Sequence, residues 1–280
     1  MAAKARPWLI GCAIGCGLLV VLMGVIAVGS AFFVRDMVQR VEETRSAGED
    51  LEERFGRVTD FHPAADGHLQ PQRIQAFLEA RRLMEEMRSR LEGDLGRLAA
   101  AEENGLAASG ESALGMFRSG VGLVQGIFTF NTARSRALLD ADMGPGEYLY
   151  IYTLSYYLFL GYSPADGPPF TLVSGSDEQV DGRDAFVVRE ERLVSIRRRL
   201  NRRLLPMLHN QLEDARSSGA DEAWLAMLTA EVDAMEASRH RLPWQDGLPD
   251  FMAATLEPFR ESLAESYSEL CNPLETGTGP

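Results

Sequence analysis

Cysteine is scarce in this chain of 280 residues, and its placement excludes a disulfide framework. Of the three cysteines, Cys12 and Cys16 fall inside a long apolar run, and Cys271 stands alone in the remainder. No bridge can therefore form within the polar part, which must hold by packing. A buried thiol near the end of a helix is the expected state of Cys271. Lysine is almost absent: Lys4 is the only one, and every other basic residue is arginine. Together with much Ala, Gly and Leu, this reads as GC-rich bacterial coding and carries no functional signal.

Histidine is limited to His62, His68, His209 and His240, with no pair at the spacing of helical metal ligands. The chain has no GxSxG elbow, no HExxH, no phosphate-binding P-loop and no GxGxxG after a strand. These absences exclude the common hydrolase, zincin, nucleotidase and dinucleotide signatures. No catalytic residue and no cofactor is assigned, and the expectation is of a protein that is not an enzyme. From Met37 onward 25 basic residues stand against 40 acidic ones, a surface that repels nucleic acid and anionic lipid, so no nucleic-acid partner is expected and a phosphate-binding role is disfavoured.

What the chain does contain is one run of 27 positions, Trp8 to Val34, without a charged side chain. About 20 apolar residues suffice to cross a bilayer as a helix. A cleaved signal peptide, ending near Val28-Gly29-Ser30, would have an apolar core longer than the usual 7 to 15 residues. A lipoprotein start at Cys12 or Cys16 would need polar sequence directly afterwards, and the run continues. An uncleaved anchor is the reading that fits, with membrane lipid as its partner. Lys4 and Arg6 before the run nearly balance Arg35, Arg40 and Arg45 after it, so flanking charge barely orients it. A seven-residue acid-free tail inside, and the bulk outside the cytoplasmic membrane, is the expected arrangement. Gly11-x-x-x-Gly15 offers a homodimer face within the anchor.

Beyond the anchor the periodicity is helical almost throughout, and the fold class expected is all-α. A single transmembrane helix and stalk would precede a bundle of about six to eight helices. Met37, Val41, Thr44, Gly48, Leu51, Phe55 and Val58 make a heptad seam over a stalk of residues 35–62. A first helical subdomain is expected over 63–162, a loop or linker over 163–185 and a second helical subdomain, packing on the first, over 186–280. Pro71 opens a helix predicted to reach about Leu98, with Ile74, Phe77, Leu78, Met84, Met87, Leu91, Leu95 and Leu98 inward. Arg81, Glu85, Arg88 and Glu92 are read as its outer face. Ser112 starts a helix apolar nearly all round, where Gly115, Ser119, Gly122 and Gly126 permit close backbone approach; Arg118 speaks against its being a second membrane span. Pro206 is expected to kink or restart the helix that begins at Phe186. Asp221 is read as a cap, and Trp244 as a plug on the core.

Four features invite a functional reading. Asp60, His62, Asp66 and His68 lie in the loop DFHPAADGH and have the donor types of a zinc site, although a turn around Pro63 and Asp66-Gly67 explains the same residues and no metal is assigned. Five tyrosines fall within Tyr148 to Leu160, as a core helix or as an aromatic ligand groove. Arg189, Arg192, Arg197, Arg198, Arg199, Arg202 and Arg203 crowd one helix, and Glu257, Glu261, Glu265 and Glu269 recur every four residues near the end. The two charged rows are expected to face each other. The leading reading is an interaction or scaffolding protein of the cell envelope whose protein partner is unknown. A lipid or lipophile carrier, and an enzyme with a carboxylate or His-based site, are the alternatives.

Overall fold

The structure, a computed structural model, describes residues 42, 45–103, 110–167 and 185–276. The anchor 8–34, its Gly11 and Gly15, the stalk residues 35–41 and the loop 168–184 lie outside the described residues. Among the described residues the secondary structure is helical and contains no strand. No helix among them is long and apolar enough to cross a membrane, including the one that spans 113–130.

Residues 45–55 form α1, ended by Gly56 at φ +75°, a left-handed conformation that glycine adopts without strain. A 3₁₀ turn, Val58–Asp60, follows. Helix α2 (Pro71–Leu83) starts on Pro71, whose missing N–H is no loss in a first turn. A one-residue interruption at Met84 separates it from α3 (Glu85–Glu103), so the single helix expected to Leu98 is a nearly continuous rod that runs five residues further. Helix α4 (Gly110–Asp140) is 31 residues long and packs along α3. At Gly126 the two helices come close: a Cβ there would lie 3.3 Å from Leu91 Cδ1.

Helix α5 (Pro145–Tyr152) passes directly into a π-helix, Thr153–Phe159. Helix α6 (Ala185–Ser218) carries Pro206 in its interior without ending. Helix α7 (Glu222–Ala237) is capped by Asp221, whose carboxylate accepts from Ala223 N and Trp224 N at 2.9 and 3.2 Å. The last helix expected from the sequence is divided into α8 (Asp250–Leu256), a 3₁₀ turn at Glu257–Phe259 and α9 (Arg260–Ser266). Pro258, which cannot donate a backbone hydrogen bond, lies in that turn. A short α10 (Asn272–Glu275) follows.

One apolar core joins α1, α2, the end of α4, the tyrosine helix formed by α5 and the π-helix (Pro145–Phe159), α6, α7, α8 and α9. Trp224 and Trp244 stack in it with centroids 5.6 Å apart, and Trp244 is buried, as expected of a plug. The start of α5 is fixed by close approach. A Cβ on Gly146 would stand 2.5 Å from Phe61 Cβ and closer still to the Val58 carbonyl oxygen. That oxygen belongs to backbone and cannot rotate away. Gly146→Ala is therefore expected to lower stability by about 2 kcal/mol, the range of overpacked cores. A urea titration followed by circular dichroism checks it, and an unchanged midpoint would count against this packing.

Candidate functional site

The densest polar cluster is inside the protein. Ile74, Phe77, Arg81, Met84, Arg88, Leu91 and Leu95 alternate steps of three and four along α2 and α3, and all seven are buried. Arg81 and Arg88 thus occupy seam positions and correct the expectation of an outer face. Their neighbours Glu85 and Arg82 are exposed. Burial of a guanidinium demands a counter-charge and hydrogen bonds, and both are present. Arg81 pairs with Glu275 at the end of α10, and neither side chain has any solvent-exposed surface.

The C-terminal end of α9 meets the same guanidinium. Arg81 Nε donates to the Ser266 carbonyl at 2.9 Å, and Arg81 Nη2 donates to it too. Arg88 Nη1 adds a bond at 2.9 Å. Cations at a helix C-terminus complement its partial negative charge. The guanidinium carbon of Arg81 also lies 5.8, 5.4 and 5.0 Å from the ring centroids of Phe77, Tyr152 and Tyr156, within cation–π range.

The tyrosines close the cluster. Tyr148 Oη accepts from Arg81 Nη1 at 2.8 Å and donates to Glu275 Oε2. Tyr156 Oη and Ser266 Oγ are 2.8 Å apart. Tyr152 and Tyr157 both donate to Asn272 Oδ1, at 2.9 and 2.6 Å. Residues five apart on an α-helix stand about 140° apart around its axis at 3.6 residues per turn. The π-helix, with Leu160 N bonded to Ser155 O at 3.0 Å, draws them back towards one face. That widening lets Tyr152 and Tyr157 reach one oxygen. Asn272 is itself fully used, because its Nδ2 donates to the carbonyls of Pro164 and Asp166 at 3.2 and 2.9 Å.

Electrostatics follow from burial. Desolvation opposes the charge on Arg81, yet Glu275 and the surrounding tyrosine oxygens hold its pKa well above the ordinary value. Burial pushes the Tyr148, Tyr150, Tyr152 and Tyr157 hydroxyls upward and Tyr156 to about 12. Burial likewise raises the Cys271 thiol to about 12, so at neutral pH it is no nucleophile. A carboxylate, a tyrosine and an arginine in contact could exchange protons with a substrate at an open site. Here a substrate would have to open the core to touch Arg81 or Glu275. Glu275 Oε1 has no hydrogen-bond partner among the described residues.

Asn272→Leu removes the acceptor of two buried hydroxyls and the donor of two carbonyls. The expected loss is about 3 kcal/mol, since each orphaned buried group costs about 1–3 kcal/mol before relaxation. Adding Tyr152→Phe and Tyr157→Phe should recover part of it, as read by thermal unfolding. A triple variant no more stable than Asn272→Leu would argue against the hydroxyl bonds as the cause.

The loop DFHPAADGH does not converge. Asp60 accepts from Arg57 N at 3.0 Å, His62 Nδ1 lies 2.7 Å from Asp214 Oδ2, Asp66 Oδ1 caps His68 N at 3.0 Å, and the His68 ring packs on Phe251 at 4.7 Å. No group of three or more metal-ligating side chains is found among the described residues. The described contacts of the two charged rows lead to different neighbours. Glu257 binds Arg260 at 2.9 Å, and α9 packs chiefly on α2 and the π-helix, whereas α6 packs on α7 and the first 3₁₀ turn. Arg203 instead donates to Thr276 O at 2.7 Å, while Arg134 holds Leu274 O and Glu275 O at 2.7 and 3.0 Å. Burial, with Arg134, Arg199 and Arg202 nearby, lowers the pKa of Arg203. Set against protein-family models, curated proteins and solved structures, the chain matches none of them.

Proposed function

We propose that this is a membrane-tethered, non-catalytic helical module, an interaction or scaffolding protein of the bacterial cell envelope. The observation that carries the tether is the run of 27 uncharged positions from Trp8 to Val34. A helix of that length exceeds the roughly 30 Å hydrocarbon core. In this reading 1–7 is cytoplasmic, the expected stalk is confined to the segment between the anchor and α1, because α1 and the first 3₁₀ turn pack on the core, and the helical bundle lies on the outer side. Gly11 and Gly15 give the anchor a face for a second copy.

The non-catalytic half of the reading is supported by where the reactive groups lie. Arg81, Glu275, Tyr148 and Cys271 are buried and matched to one another or to backbone, which is the pattern of a structural lock. The segment Tyr148–Phe159 is better suited to this than to a lipophile groove, because its rings are packed and the hydroxyls of Tyr148, Tyr152, Tyr156 and Tyr157 are already engaged by protein.

Membrane fractionation of the full chain and of a chain lacking 8–34 tests the tether. The full chain is expected to stay in the membrane pellet after alkaline carbonate, and the deletion to become soluble. Protease added to spheroplasts should cleave the domain. Release of the full chain by carbonate would overturn the anchor, and protection from protease would overturn the sidedness.

A further inference from the structure

Two arginines beside the junction of α6 and α7 are already engaged. Arg241 binds Glu231 and Asp246 at 3.0 and 2.8 Å, and Arg203 binds a carbonyl. A different arrangement stands where α7 ends beside α6. There a cleft of about 470 Å³ is lined by Arg198, Ala237, Ser238, Arg239 and His240. Among the described residues that line it, three can carry a positive charge, one bears a hydroxyl and none bears a carboxylate. Among the described residues, none of the three cation-forming groups is held in an ion pair. The volume falls within the range of small-ligand sites.

The cleft is built on a fixed support. Asn201, buried one turn beyond Arg198 on α6, uses one amide nitrogen to hold the carbonyls of Met235, Ser238 and Arg241 at 3.3, 3.3 and 2.8 Å. These carbonyls bracket the segment that carries Arg239 and His240. The end of α7 and the following turn are thereby stapled to α6, and the three side chains share one opening. Further along α6 the next hollow, of about 370 Å³, shares Arg198 but is lined by Glu190 and Glu191. That carboxylate boundary suits a compact anion and repels an extended one. The net charge of −13 does not prevent such binding, because charges beyond about 8 Å are largely screened at physiological salt.

We propose that Arg198, Arg239 and His240 form a binding site for a compact phosphate-class oxyanion, presented either free or as the headgroup of an anionic lipid. Arginine forks match the geometry of phosphate oxygens bidentately, and the exposed histidine and Ser238 hydroxyl supply further donors. The site does not rest on the membrane tether, since free phosphate chemistry needs none.

Calorimetric titration of the full chain in a neutral, phosphate-free detergent, at constant ionic strength, tests it with two probes. One is inorganic phosphate, and the other is lysophosphatidic acid mixed into the same micelles. Saturable binding of inorganic phosphate identifies a free ligand; binding of the lysolipid alone identifies a headgroup. In either case Arg198→Gln/Arg239→Gln should weaken binding at least tenfold, and Arg90→Gln, an exposed arginine on α3, less than twofold. Should the double glutamine variant lose its helical circular dichroism, Arg198→Lys/Arg239→Lys keeps the charge without the fork and is expected to weaken binding three- to tenfold. The proposal fails if neither probe saturates on the unmodified chain, if the folded double variant binds within twofold of it, or if Arg90→Gln weakens binding as much.

Discussion

Arg81→Met should be among the most damaging single substitutions in the protein, lowering stability by about 3–5 kcal/mol. The side chain it replaces has no exposed surface and meets Glu275, Tyr148 Oη and the Ser266 carbonyl at once. Methionine fills much of the volume, so the cost does not come from a cavity. It comes from leaving the Glu275 carboxylate buried beside a tyrosine with no cation, and from leaving the Ser266 carbonyl with one arginine where it had two. For a domain whose whole stability is of order 5–15 kcal/mol, that loss approaches unfolding. Arg81→Lys should rescue little, since a single ammonium cannot bridge Glu275 and Ser266 with a planar fork. The neighbouring Arg82 offers the contrast. It forms an exposed pair with Glu79 at 2.6 Å, and Arg82→Met should change stability by less than about 0.5 kcal/mol. Urea unfolding of the full chain in neutral detergent separates the two cases, and similar midpoints for them would contradict the assignment.

Alkali should unfold the protein cooperatively. In an unfolded chain each tyrosine ionises near pH 10. Burial holds Tyr148, Tyr150, Tyr152, Tyr156 and Tyr157 above that value in the folded state, Tyr156 to about 12. Above pH 10 the folded protein therefore retains protons that the unfolded chain gives up. Stability is intact below pH 10 and falls as pH rises above it. Each such tyrosine removes up to about 1.4 kcal/mol per pH unit, and five acting together remove up to about 7 kcal/mol per unit. Tyrosinate absorbance near 295 nm should then appear in one step with the loss of helical circular dichroism, between about pH 10 and 12. A gradual rise in tyrosinate at full helicity would show the rings to be accessible. The opposite limb carries no such effect, because these hydroxyls are neutral in both states below pH 9.

The helical class was legible in the sequence because its signals are local. The 3.6-residue stripe of α7, the Asp221 cap and the proline at the start of α2 each act within one or two turns, and each appears where the spacing places it. The buried arginines were hidden by their own charge. The steps of three and four from Ile74 to Leu95 pass straight through Arg81 and Arg88, so periodicity alone marks both as inward-facing. Their charge points the other way, because an arginine with no partner in view belongs in water. Glu275 could not have been paired with Arg81 from sequence, since 194 positions separate them and nothing local distinguishes one glutamate from its neighbours. The π-helix has no sequence mark either. It follows from two tyrosine hydroxyls and one asparagine oxygen meeting in the folded core. In the loop DFHPAADGH the turn chemistry of Asp66 and Gly67 was readable, and the His62 to Asp214 contact was not, because it joins distant segments.

A double-mutant cycle on Arg81 and Glu275 tests most directly whether this network is a lock that couples the tyrosine helix, α2 and the C-terminal segment. Unfolding free energies are measured for the unmodified chain, Arg81→Met, Glu275→Gln and the combined variant. The account predicts a coupling of at least about 2 kcal/mol, with the combined variant no less stable than Arg81→Met alone, because neutralising the orphaned carboxylate relieves the larger cost. Losses that add to within about 0.5 kcal/mol would show that the two residues act independently, and would contradict it.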